Sequence, residues 1–255
     1  MSFESRQEGK RTRLLAILTG VLLLVLLLLL GPVRTTVRHY GVGPLQALQV
    51  AAVNLLKGPV RVGIQIGHLD VHLHADELEE LRFNTGGHAA GVDELEVNRL
   101  VAAELTAMLE RAGIVVELLP ASVPIHYTAD AVVSLHADSV LDPARNGYKS
   151  AHFEPARNQL EPLLKEAMDG AWLPASGLAD DSLNTSSSMF RYYGFNPEFR
   201  HSVNPATPAL LVEMGYISNS TDRQFLLQPE LPARLIADGI IAFLTEVRRL
   251  PVTPH

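Results

Sequence analysis

The chain has 255 residues, a formal net charge of −7 and no cysteine. The absence of cysteine excludes disulfides, thiolate zinc sites, a cysteine nucleophile and a lipidated N-terminal cysteine. The length suits one α/β domain of roughly 200 residues once an apolar N-terminal segment is set aside.

The apolar N-terminal segment runs from Leu14 to Val33 and consists mainly of leucine. As a helix, about 20 residues extend roughly 30 Å, which is enough to span a bilayer. Three basic residues precede the segment and place the N-terminus in the cytoplasm by the positive-inside rule: Lys10, Arg11 and Arg13. A cleaved signal peptide is the alternative, but the apolar core is long for one and Gly31-Pro32-Val33 is not a small-x-small cleavage site.

We therefore predict a cytoplasmic tail over residues 1–13, a transmembrane anchor over 14–33 and a connector over 34–58. The protein would be a single-pass protein of the cell membrane, with residues 59–250 forming an extracytoplasmic domain. Residues 1–38 carry six basic and two acidic residues, which leaves a net charge of −11 for the rest of the chain. Such an acidic domain is a poor nucleic-acid binder, so we expect no nucleic-acid partner.

The connector contains apolar residues near helical spacing, namely Leu45, Leu48, Ala52, Leu55 and Leu56. This spacing predicts a helix whose apolar side packs on the domain. A helix lying at the membrane surface beside the anchor is the alternative.

Three short apolar runs each lead to a side chain that can bind a metal or move a proton. Such runs indicate strands buried on both faces, and ligands gather at the carboxyl ends of the strands in open α/β sheets. Two imidazoles with carboxylates are a usual ligand set for zinc. The runs are Val60–Ile66 before His68, Ala131–Leu135 before His136, and Leu210–Val212 before Glu213.

The segment over residues 69–91 is polar and rich in histidine, and we interpret it as a loop or lid beside the site. Its histidines could compete as metal ligands or could simply be solvated: His72, His74 and His88.

A helix is predicted to begin at Asp93, which forms a capping pair with Glu96, and to end at Gly113. Glu94 lies in its first turn. Spacing alone favours the interpretation that Glu94 only suits the positive end of the helix dipole.

The remaining pattern alternates strands and helices, which predicts an α/β fold with three layers: a mostly parallel or mixed sheet with helices on both faces. The predicted elements are a strand at Ile114–Leu118, a surface helix at Ala156–Met168, a loop-rich region at Trp172–Asn204, and helices at Asp222–Leu227 and Pro229–Val247. The loop-rich region offers possible substrate contacts at Arg191, Tyr192, Tyr193, Arg200 and His201.

Four sequence blocks follow one another between Val60 and Leu250: I-Q-I-G-H, E-L-E-V-N-R-L, A-D-A-V-V-S-L-H-A-D and P-A-L-L-V-E-M-G-Y-I-S-N-S-T-D. Together and in this order they resemble the zinc-dependent N-acetylmuramoyl-L-alanine amidases of the bacterial cell wall, amidase type 3. The third and fourth blocks are specific, whereas the first two are weak alone. The resemblance implies that residues 59–250 form a zinc amidase-like catalytic domain.

The resemblance also implies a site and a reaction. His68, Glu94 and His136 correspond to the family's zinc ligands, and Glu213 corresponds to its catalytic glutamate. The implied substrate is peptidoglycan, cut at the amide between N-acetylmuramic acid and L-alanine of the stem peptide. Zinc would activate a water molecule whose proton Glu213 accepts. Whether an activating protein partner is needed stays open.

The chain departs from the family at several positions beside the site. Gln65 stands where an acidic residue is usual, Leu69-Asp70 replaces two glycines, and Asp138 replaces an asparagine. These departures motivate a first alternative, a weakened amidase-fold domain that binds cell wall or regulates. A zinc peptidase acting on another substrate is the second alternative.

Overall fold

The computed structural model describes residues 17–22, 30–39 and 42–251. Residues 17–22 and 30–39 are helical. In the described parts of the chain, no helix is both long enough and apolar enough to cross a bilayer. The predicted tail at 1–13 lies outside the described residues, and so does much of the predicted anchor at 14–33, so both stay predictions from the sequence.

The chain divides into two compact units, residues 1–58 with 245–255 and residues 59–244. The first unit contains helix α1, Pro44–Lys57. Its buried residues are Ala47, Val50 and Ala51, whereas four leucines of the predicted packing face are exposed: Leu45, Leu48, Leu55 and Leu56. The helix is confirmed, but the predicted packing face is wrong, because the small side chains on the opposite face are the ones that are buried.

The second unit carries the strands and the remaining helices. The strands are β1 (Arg61–Ile66), β2 (His88–Ala89), β3 (Val92–Asp93), β4 (Val115–Leu119), β5 (Ala131–Asp138), β6 (Lys149–Ala151) and β7 (Ala209–Tyr216). The helices are α2 (Glu94–Arg111), α3 (Leu160–Ser176), α4 (Ser187–Phe190), α5 (Ser220–Leu226) and α6 (Glu230–Glu246), the last of which ends just past the boundary between the units.

Five strands form the central sheet in the order β4-β1-β5-β7-β6. The first four are parallel, and β6 runs antiparallel to β7 at the edge. Helix α2 packs against β1, β4 and β5, while α3 packs against β6 and β7. The mixed α/β fold with a central sheet and flanking helices is thereby confirmed.

The two central strands continue further than the apolar runs predict. Strand β5 extends through His136 to Asp138, and β7 extends through Glu213 to Tyr216. His136 and Glu213 therefore lie within strands, not after them, and the register pairs them directly on neighbouring strands. The pairing between β5 and β7 continues past a register irregularity between His136 and Asp138, so these polar residues still belong to the strands.

One predicted helix cap and one predicted helix start also need correction. Asp93 occupies the N-cap position of α2 but its side chain does not cap the helix; its Oδ1 instead lies 2.6 Å from His88 Nδ1. Helix α3 starts at Leu160, after Asn158 accepts a hydrogen bond from the Leu160 N–H at 2.9 Å. This helix is also less superficial than predicted, because it buries Leu164, Met168 and Trp172.

Candidate metal centre

His68 follows the end of β1, at a point where the main chain passes close to β5. The Gly67 N–H donates to the Leu135 carbonyl at 3.0 Å. A Cβ at Gly67 would lie 2.5 Å from both that oxygen and His136 Cε1, so only glycine fits there. His68 itself has a left-handed φ of 66°, which turns the chain out of the sheet. The ring is held from its other side, because Nδ1 lies 2.8 Å from the Asn84 carbonyl.

Glu94 enters from the first turn of α2 and is buried. Its Oε2 accepts the Gly87 N–H at 2.8 Å, and its Oε1 accepts the Ala137 N–H at 3.3 Å. One turn further along α2, Asn98 Nδ2 donates to the Gly67 carbonyl at 3.4 Å. These hydrogen bonds hold the start of α2 against the end of β1 and against β5.

The three predicted ligands converge on one point. Glu94 Oε1 lies 3.1 Å from His68 Nε2 and 3.0 Å from His136 Nδ1. The two imidazole rings are nearly perpendicular, with centroids 5.0 Å apart. The ligand atoms of all three residues lie within 4.8 Å of one another. Sequence spacing alone did not favour Glu94 as a ligand, so its position here is the main gain from the structure.

The hydrogen bonds around the rings indicate that a cation fits between them. A carbonyl can only accept, so His68 Nδ1 donates to Asn84 and its neutral tautomer leaves a lone pair on Nε2. His136 Nε2 lies 3.3 Å from the Tyr192 hydroxyl, and donation there leaves a lone pair on Nδ1. Both lone pairs then face the Glu94 carboxylate. Two imidazoles and one carboxylate oxygen are a donor set that suits zinc.

The pKa values of the first two ligands are set by this geometry. Burial alone would raise the pKa of Glu94, but hydrogen bonds with His136 and His68 outweigh it and lower that pKa. Burial would lower the pKa of His68, but the hydrogen bond that its protonated ring donates to Glu94 through Nε2 outweighs burial and raises that pKa. Glu94 is therefore an ionised carboxylate, as a metal ligand must be.

Glu213 lies on β7, directly opposite His136 on β5. Its Oε2 is buried without a partner among the described residues. From the protein groups alone, burial raises the pKa of Glu213 well above its usual range, the Glu94 and Asp138 charges add to the rise, and Lys149 opposes it. A carboxyl group with a raised pKa takes up a proton more readily than an exposed glutamate does, as a general base must.

A cavity of about 400 Å³ opens over these side chains. Its lining includes the three ligands, Glu213, and three of the candidate substrate contacts, Arg191, Tyr192 and Tyr193. Arg200 and His201 are not among the lining residues. Their backbone N–H groups instead donate to the Glu77 carboxylate at 3.1 and 2.7 Å, which ties their loop to the histidine-rich segment.

The competing histidines do not join the cluster. His72 is exposed, and His88 pairs with Asp93. His74 is buried with neither ring nitrogen hydrogen-bonded to a described residue. The segment instead contributes two backbone groups to the site, the Asn84 carbonyl and the Gly87 N–H. The Thr85-Gly86-Gly87 stretch was the available signal in the sequence, since Gly86 has a φ of 88° and a Cβ there would lie 2.9 Å from the His68 ring.

Comparison with known proteins identifies the family of this chain. The family model described as N-acetylmuramoyl-L-alanine amidase matches residues 82–242, and the chain belongs to this family. No curated protein sequence matches the chain.

Solved amidase structures share the fold at low sequence identity. The amidase AmiC2 of Nostoc punctiforme has 22% identity and a TM-score of 0.54, with 74% of this chain and 98% of that chain covered. Ami1 of Mycobacterium abscessus has 18% identity and a TM-score of 0.54, covering 72% and 98%. The CwlD amidase of Clostridioides difficile, solved in complex with the GerS lipoprotein, has 14% identity and a TM-score of 0.52, covering 73% and 99%.

Proposed function

We propose that the chain is a zinc-dependent N-acetylmuramoyl-L-alanine amidase that hydrolyses the amide between N-acetylmuramic acid and L-alanine in peptidoglycan. The observation that carries the proposal is the convergence of His68, Glu94 and His136 beside the unpartnered carboxylate of Glu213. Membership of the amidase family supports the choice of bond and substrate.

His68 Nε2, Glu94 Oε1 and His136 Nδ1 would hold the zinc ion. When bound, zinc supplies a Lewis acid that lowers the pKa of water and polarises the substrate carbonyl. Asn84 and Tyr192 orient the two imidazoles, and the Gly87 N–H orients the Glu94 carboxylate.

Glu213 Oε2 accepts the proton of the attacking water and then donates it to the leaving nitrogen of L-alanine. Its burial favours both steps, since a raised pKa makes the carboxylate a better base and its acid form an available donor. Because Oε2 makes no hydrogen bond with a described residue, no protein group has to be displaced when water or substrate approaches.

We further propose that the catalytic part lies outside the cell membrane, held there by residues 14–33. The support is the apolar sequence of that stretch with basic residues before it. An enzyme held in this way would reach the wall polymer next to the membrane.

The proposal is tested by incubating purified peptidoglycan with the chain, with and without zinc, and identifying the fragments by mass spectrometry. We expect zinc-dependent release of intact stem peptides with a free L-alanine amine, and neither zinc binding nor release by the His136→Ala variant. Cleavage within the stem peptide would instead support a peptidase. Binding to peptidoglycan without cleavage in the presence of zinc would support an inactive wall-binding domain.

A further inference from the structure

The charges that line the cavity are mostly negative. Glu94, Asp138 and Glu213 are the acidic residues there, and Asp138 is paired at 2.7 Å with Lys149, which is buried and outside the lining. Arg191 is the single lysine or arginine among the described lining residues. The chain after residue 38 has a net charge of −11, so the surroundings add no general attraction for an anion. Any carboxylate on a ligand that enters this cavity therefore has one protein cation to meet, apart from a bound metal.

Arg191 is positioned by the protein but is not paired with it. It follows the short helix α4, where its backbone N–H donates to the Ser187 carbonyl at 2.9 Å. The guanidinium lies 5.2 Å from the centroid of the buried Phe153 ring, a cation–π arrangement that restricts its orientation. In the part of the chain that the structure describes, its side chain is exposed and forms neither an ion pair nor a hydrogen bond.

Arg157 differs from Arg191 because its guanidinium is fully used in bonds within the protein. Its guanidinium donates to Glu161 and to the carbonyls of Phe195, Val203 and Thr207. All of these bonds go to protein groups, and none is left for a ligand in the cavity. Arg191 keeps its donors, which match the two oxygens of a carboxylate.

Ser188, three residues before Arg191, also lines the cavity. Its Oγ lies 2.7 Å from Ser186 Oγ, and Ser188 keeps its own O–H for a ligand when Ser186 is the donor in that pair. A hydroxyl beside a guanidinium fork favours a carboxylate over a neutral amide, because the amide offers one acceptor oxygen and no charge.

We propose that Arg191 binds a free carboxylate of the stem peptide and makes the enzyme prefer carboxylated over amidated peptides. This inference rests on the proposed amidase function. The second residue of the stem, a γ-linked D-glutamate, carries an α-carboxylate that is charged when free and neutral when amidated. It lies one residue from the bond that is cut, so it enters the cavity together with that bond.

The test uses two muramoyl peptides that differ only in this α-carboxylate or α-carboxamide. Steady-state kinetics compare the unmodified chain with Arg191→Gln, Arg191→Lys and the matched control Arg200→Gln, whose arginine is exposed and does not line the cavity. Arg191→Gln is expected to raise KM about 10- to 100-fold for the carboxylated peptide and to change the amidated peptide little. Arg191→Lys is expected to restore part of the loss, and Arg200→Gln to resemble the unmodified chain.

Equal losses on both peptides, or none on either, would overturn the inference and leave Arg191 a structural residue. A binding measurement separates this failure from failure of the proposed function. Calorimetry with zinc-loaded Glu213→Gln gives the affinity for both peptides without turnover. A preference for the carboxylated peptide that Arg191→Gln removes supports the inference even if no hydrolysis occurs, and equal affinities contradict it even if hydrolysis is efficient.

Discussion

The hydroxyl of Tyr192 connects the metal centre to Gln65, the position where the family usually has an acidic residue. Tyr192 donates to Gln65 Oε1 at 3.1 Å and lies 3.3 Å from His136 Nε2. The amide Nε2 of Gln65 donates to the Ala121 carbonyl at 2.7 Å. Burial raises the pKa of Tyr192 to about 12, so the hydroxyl stays protonated and can donate. A buried glutamine therefore satisfies both of its polar atoms without leaving a charge uncompensated.

Tyr192→Phe should weaken zinc binding by about 10- to 100-fold, because His136 then loses the acceptor that fixes its tautomer. Zinc affinity is measured by competition with a chromophoric chelator. Tyr193→Phe is the matched control, since its hydroxyl donates to the Ala121 carbonyl at 3.1 Å, lies 3.3 Å from the Tyr192 hydroxyl and makes no bond to His136. Unchanged affinity in Tyr192→Phe, or the same loss in Tyr193→Phe, would show that this hydroxyl does not orient the ligand.

At the scale of elements, the segment between β1 and β2 covers one side of the site. It contains the short 3₁₀ helices Val71–Leu73 and Asp76–Leu81, and it supplies the Asn84 carbonyl that holds His68. Within it, His74 is buried against the Tyr193 ring with a centroid distance of 5.3 Å. Burial, with the nearby Arg82 charge, lowers the pKa of His74.

This lowered pKa predicts a pH dependence of stability with a defined sign. The unfolded chain protonates His74 near its ordinary pKa of about 6.5, while the folded chain resists protonation until a lower pH. The free energy of unfolding therefore decreases as pH falls from about 6.5 toward the pKa of His74 in the folded chain. Denaturant titrations with zinc removed, at about pH 7.5 and pH 5, should show a smaller loss for His74→Phe than for the unmodified chain.

The exposed His72 provides the control for that experiment. His72→Phe should keep the pH dependence of the unmodified chain, because His72 is exposed and this substitution leaves the buried His74 in place. Equal pH dependence in all three proteins would mean that protonation of His74 is not resisted by the fold.

The elements also show which parts of the fold and of the site could be predicted from the sequence alone. Apolar runs predicted β1, β5 and β7, and their order along the chain placed His68, His136 and Glu213 at one end of a sheet. The pattern did not predict that β5 and β7 continue past their apolar cores, because ladder hydrogen bonds are independent of side-chain polarity. Glu94 was ambiguous, since a helix N-terminus favours acidic residues whether or not they bind a metal. The roles of Asn84 and Gly87 are carried by backbone atoms, which the sequence pattern does not reveal.

Across the whole molecule, the chain combines an acidic domain with a basic, apolar N-terminal stretch. We predict that the protein stays in the membrane fraction after a high-salt wash, because the apolar stretch at 14–33 is not held by charge. Protease added to intact cells after the outer layers are opened should reach the C-terminus. A soluble, shortened chain that begins near Val33 would show a cleaved signal peptide instead.

The chain reaches a shared amidase fold with 22% identity or less to the solved structures compared above. In this chain, the elements that hold the candidate site are the turn at Gly67 after β1, the start of α2 and the paired positions of β5 and β7. Much of the remaining surface can vary without moving these groups, so a low overall identity is compatible with a shared fold.

The central claim is tested most directly by following one oxygen atom. A muramoyl peptide is incubated with the zinc-loaded chain in H₂¹⁸O, and the products are resolved by mass spectrometry. The account predicts ¹⁸O in the lactyl carboxylate of N-acetylmuramic acid and a free amine on L-alanine, with release slowed on the order of 10²-fold or more in a folded, zinc-loaded Glu213→Gln variant. Label in a peptide carboxylate, no release by the zinc-loaded chain, or an unslowed Glu213→Gln variant would contradict it.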